Sequence, residues 1–96
     1  MWQLCEPIGA ATAETVTLTG VTNYLRITQG AGGAAVYLKF NWTVGDTEVS
    51  ATNFDTALAD DIGAFVEFKN EAPSFPKMKN VRVISAGAGS VAFVGW

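Results

Sequence analysis

The feature that most constrains this chain is an alternation of period two. From Ala34 to Trp42, Val36, Leu38, Phe40 and Trp42 fall on one side and Tyr37, Lys39 and Asn41 on the other. Successive side chains of a strand point to opposite faces, so this stretch predicts a strand with one face buried. Asn23–Thr28 repeats the pattern with Leu25 and Ile27 inward, and Thr15–Leu18 gives a shorter version through Val16 and Leu18. Ala64–Phe68, Val81–Ser85 and Ser90–Val94 follow, each bounded by Gly, Asn, Pro or Ser, and Glu48–Thr52 is a further expected strand. The fold class this predicts is all-β. It is a single antiparallel β-sandwich or jelly-roll-like barrel of about seven to eight short strands, with at most one short helix at Asn53–Ile62. Gly30-Ala31-Gly32-Gly33 and Gly87-Ala88-Gly89 read as hairpin tips, because glycine reaches the positive φ that hairpin turns demand. A strand, not a helix, follows each cluster, which argues against a phosphate cradle.

The 96 residues suffice for one domain. Residues 15–96 are assigned to the sandwich and residues 1–14 to an N-terminal arm. Half of the chain is hydrophobic, which argues against disorder, while only 16% is charged against the usual 25% or so. A small body with so little ionic cover is expected to have part of its surface covered by a partner. Nine acidic against six basic residues, for a net charge of −3, exclude roles that depend on neutralising phosphates, so nucleic acid is not an expected partner. No apolar run is long enough for a membrane helix, and the first residues lack a signal peptide's basic and apolar regions, so synthesis in the cytoplasm is expected.

Chemistry is sparse. Histidine is absent and Cys5 is the single cysteine, which removes the usual proton shuttle, the familiar triads and zinc sites, and any internal disulfide. No enzyme activity and no cofactor are expected. Asp46 with Glu48, and Asp60 with Asp61, are the carboxylate pairs that could hold calcium, though solvated turns are the plainer reading. Lys77, Lys79 and Arg82 form the one basic cluster, suited to an acidic partner. Among the aromatics, Phe40, Trp42, Phe93 and one of Phe65 or Phe68 are assigned to the core. Tyr37, Tyr24, Trp2 and Trp96 could instead form a stacking platform for sugars. Trp2, Leu4 and Ile8 of the arm, together with Tyr37 and Trp96, are the candidate interface residues.

The order of segments is also familiar. Asn23-Tyr-Leu-Arg-Ile-Thr28, a glycine turn and Ala35-Val-Tyr-Leu-Lys-Phe40 resemble the opening hairpin of small virion proteins of tailed bacteriophages. Val49–Thr52, Phe65–Phe68, a proline-bearing loop and Val81–Val91 continue the resemblance over residues 15–96. It implies a β-sandwich carried in many copies on the virion, as a decoration or cement protein stabilising the major capsid protein, or at the neck or tail. A homo-oligomer, with a trimer favoured, is the expected form. A displayed carbohydrate-binding module is the alternative. The resemblance transfers no catalytic residues.

Overall fold

The computed structural model describes residues 2–18, 23–30, 34–69 and 79–96, with backbone alone for Trp2. Eight strands follow one another: β1 (Trp2–Ile8), β2 (Glu14–Thr17), β3 (Tyr24–Gln29), β4 (Val36–Phe40), β5 (Thr56–Leu58), β6 (Phe65–Lys69), β7 (Asn80–Ser85) and β8 (Gly89–Gly95). They form two antiparallel four-stranded sheets, sheet A in the order β1-β8-β3-β6 and sheet B in the order β2-β7-β4-β5. The described residues contain no helix.

The pairings are nested. β1 pairs with β8, β2 with β7, β3 with β6 and β4 with β5, as though one long hairpin were folded over on itself. Two lateral pairings, β3 with β8 and β4 with β7, then complete the sheets. This is the topology of an eight-stranded jelly roll. The folded body measures 32 × 31 × 19 Å, its short dimension accommodating two sheets packed about 10 Å apart with their outer side chains.

Alternation decides what lies between the sheets. Leu25 and Ile27 of β3, Val36 and Leu38 of β4, Val81 and Val83 of β7, and Val91 and Phe93 of β8 are essentially inaccessible. Ile8, Val16, Leu18 and Leu58 complete the same cluster. β-branched residues dominate it, as suits a pleated surface packed on one face. Phe40 and Phe68 meet edge to face, 5.1 Å between centroids, at the rim of the core.

Several expectations require correction. Residues 1–14 are not a separate arm, because β1 pairs along its whole length with β8 and Ile8 is 3% exposed. The alternation of Trp2, Leu4 and Ile8 is a strand pattern, obscured by Glu6 at the intervening inward position. The glycine connections are not hairpin tips either, since β3 and β4, like β7 and β8, lie in opposite sheets and the chain crosses between layers there. Gly30 has no positive φ. A Cβ at Gly30 would stand 2.2 Å from Ser90 Oγ and 3.1 Å from Ser90 O, so close approach is what excludes a side chain. Ala31–Gly33 lie outside the described residues. Glu48–Thr52 is a turn region closed by the Ser50–Asn53 bridge, and the segment expected to be helical holds β5 instead.

Candidate functional site

The two outer faces differ. On sheet B, the connection between β4 and β5 folds back over the sheet. Asn41 starts it with φ 53°, a left-handed conformation that asparagine tolerates well, and Asp46 closes a turn by accepting from Thr43 N and Thr43 Oγ1 at 2.9 and 3.1 Å. Val49 is then buried to 1% exposure. Trp42 lies over the Arg82 guanidinium, 4.3 Å from ring centroid to Cζ. Arg82 donates through Nε and Nη2 to the two carboxylate oxygens of Glu48, each at 2.9 Å, and through Nη1 to Thr15 Oγ1. The Arg82 hydrogen bonds hold Glu48 below its ordinary carboxylate range. Thus Trp42 is not a core residue, and Arg82 is committed to an internal partner rather than to a basic cluster. Lys79 is exposed, and Lys77 lies outside the described residues.

Beside this loop a shallow apolar hollow of about 220 Å³ opens on sheet B, lined by Tyr37, Ile84, Ala11, Ala51 and Ala86 among others. Tyr37 rests against Phe54 at 5.1 Å between centroids.

Sheet A leaves its outer face exposed. Its register sets Cys5, Ala92, Thr28 and Phe65 in one row across β1, β8, β3 and β6, and Gln3, Val94, Arg26 and Glu67 in the next. Phe65 is 53% exposed, so the aromatic packed at the rim of the core is Phe68 and not Phe65. Trp96 continues the line of β8 and exchanges backbone bonds with Tyr24, at 3.1 and 3.2 Å. Their rings stack at 4.4 Å with 21° between planes. Trp96 keeps 47% of its surface accessible. Arg26 donates to the Tyr24 hydroxyl at 3.0 Å and lies 5.3 Å from the Phe65 centroid. The Tyr24 hydroxyl donates in turn to Glu67. Burial first, and the Glu67 carboxylate second, raise the Tyr24 hydroxyl above its ordinary pKa.

Of the residues singled out from sequence, Tyr24 and Trp96 come together, while the others are scattered. Trp96 stands on the outer face of sheet A, and Tyr37 on the opposite side of the molecule, so the two cannot share a platform. Leu4, 36% exposed, faces inward from the sheet edge. Ile8 belongs to the core and is no interface anchor. The Trp2 side chain lies outside the described residues. What sequence reading missed is the placing of Arg26, Glu67 and Phe65 beside the Tyr24–Trp96 pair, which only the pairing of β3 with β6 brings together. The candidate carboxylates are engaged otherwise: Asp46 caps its own turn and Glu48 holds Arg82. Asp60 and Asp61 lie exposed in the connection after β5.

Comparison with protein-family models, with curated proteins and with solved structures yields no match for this chain.

Proposed function

We propose that this protein is a structural component of a bacteriophage virion, a decoration or cement protein that binds neighbouring capsid subunits through the outer face of sheet A. The observation that carries the reading is the asymmetry of the sandwich. One outer face is partly covered by the chain's own loop through Val49, Trp42 and Glu48, a loop that leaves its own Val44 and Phe54 exposed, whereas the other has no covering loop among the described residues and presents Phe65 and the Tyr24–Trp96 stack with half-buried Val94 and Ala92. Exposed aromatics beside an arginine are the composition of an interface anchor. The resemblance over residues 15–96 supports the virion as the setting, and jelly rolls recur among viral capsid domains, though that analogy is one of fold alone. A face of this size makes a modest single contact, and repetition over a lattice multiplies it.

Phe65→Lys tests the reading, since that side chain is outside the core. The variant is expected to keep the wild-type circular dichroism and to be lost from purified virions that retain the wild-type chain. Equal incorporation of the variant, or absence of the wild-type chain from virions, removes the proposal.

The Tyr24–Trp96 stack also favours a second reading, a glycan-binding face with Glu67 and Arg26 as polar partners. Binding to a glycan array that disappears in Trp96→Ala would support it.

A further inference from the structure

We propose that β1 is a self-pairing edge, through which two copies of this chain join sheet A to sheet A by antiparallel β1–β1 pairing centred on Cys5.

β1 lies at the end of its sheet and, among the described residues, pairs only with β8. Its other side presents a row of backbone donors and acceptors. The other three sheet edges are blunted. β5 has three residues, β2 has four, and β6 has five of which Glu67 and Lys69 are charged. β1 runs for seven residues, and its protective devices are two single residues, the inward-placed Glu6, its one charge, and Pro7 near the end of the strand. A long, weakly charged edge is a template for another strand. Leu4 sharpens the point, because it faces inward yet remains 36% exposed. An added strand would cover it.

The pattern of β1 favours a second copy as that strand. Two identical strands paired antiparallel obey a two-fold axis, so contacts are reciprocal. Centred on Cys5, the middle residue of Trp2–Ile8, the register sets Cys5 against its own copy, Gln3 against Pro7, Leu4 against Glu6 and Trp2 against Ile8. Every residue of β1 then has a partner. Pro7, which lacks an N–H, meets a Gln3 that retains one. Glu6 meets Leu4 rather than another carboxylate. Parallel pairing in register would set Glu6 beside Glu6, as would an antiparallel shift centred on that residue, and like charges directly opposite are unfavourable. A seven-residue strand pair buries less than the roughly 1,200 Å² of a stable specific interface. The association is accordingly reversible and dependent on concentration, with two-fold symmetry instead of the trimer the sequence suggests. It requires no virion, and it uses the edge of sheet A and not its face.

The test uses the intact chain. Light scattering over a concentration series is expected to show a mass rising from 10.1 kDa toward twice that value. A bis-maleimide with a span below about 10 Å should couple Cys5 to Cys5 with the same concentration dependence, since facing residues of an antiparallel pair lie about 4.5–5.5 Å apart at Cα. In Cys5→Ser/Gln3→Cys the thiols of a pair stand four residues out of register, about 13 Å apart along the strand, and coupling should fall at least tenfold. Cys5→Lys places two ammonium groups face to face and should weaken association at least tenfold while leaving the circular dichroism unchanged. A 10.1 kDa mass at every concentration, equal coupling from position 3, or association insensitive to Cys5→Lys would each overturn the proposal.

Discussion

Three polar side chains show how single residues hold this sandwich. Arg82 and Glu48 pin the loop over sheet B, and their contribution depends on pH. Because the Arg82 hydrogen bonds depress the Glu48 pKa in the folded state, the associated stability is fully present above the carboxylate's unfolded pKa. It is lost as pH falls through the lower, folded value. Glu48 is half exposed, so screening limits the effect to about 1 kcal/mol or less. Thermal unfolding should therefore show a midpoint that drops on acidification, and a smaller drop in Glu48→Gln. An identical drop would mean that other carboxylates dominate. Gln29 is the third. Buried at 3% exposure, it donates through Nε2 to Ala34 O and Ala59 O at 2.9 and 3.2 Å, tying the β3–β4 and β5–β6 connections together at one end of the sandwich. Gln29→Leu leaves both carbonyls without that donor and should cost about 1–3 kcal/mol in urea unfolding.

At the level of elements, β1 carries the sharpest consequence. Removing residues 2–8 deletes one of the two strand partners of β8, leaves β8 at the sheet edge with Val91 and Phe93 less covered, and takes Ile8 from the core. The truncated chain should lose the cooperative unfolding transition, whereas a detachable arm would leave it intact. Much of this level is legible from sequence. β3, β4, β7 and β8 announce themselves because each has at least two successive inward positions filled by Leu, Ile, Val or Phe. β1 does not, since Glu6 occupies an inward position, and the three residues of β5 are too few for any period. Glycine connections are ambiguous for another reason. A short Gly-Ala-Gly link can close a hairpin or cross between sheets, and the choice depends on Gly30 lying against Ser90 and Gly87 against Ala34, contacts that no local pattern records. The candidate face was half readable. Trp96 stood out as a large aromatic, but its companions Arg26 and Glu67 look like ordinary outward residues until β3 and β6 pair.

Considered as a whole, the molecule is an open sandwich with one outer face partly covered by its own loop and the other uncovered among the described residues. Its nested pairings join Trp2 to Gly95 and Val16 to Val81, so little of the structure can form before distant segments meet. Folding on the slow side of the millisecond-to-second range of all-β domains follows. Covalent footprinting of the chain in intact virions and in isolation tests the central claim most directly. The account predicts that Phe65 and Trp96 are protected in the particle while Trp42 and Tyr37 react as in the free protein. Equal labelling of Phe65 and Trp96 in both states, or protection confined to the side of Tyr37, would contradict it.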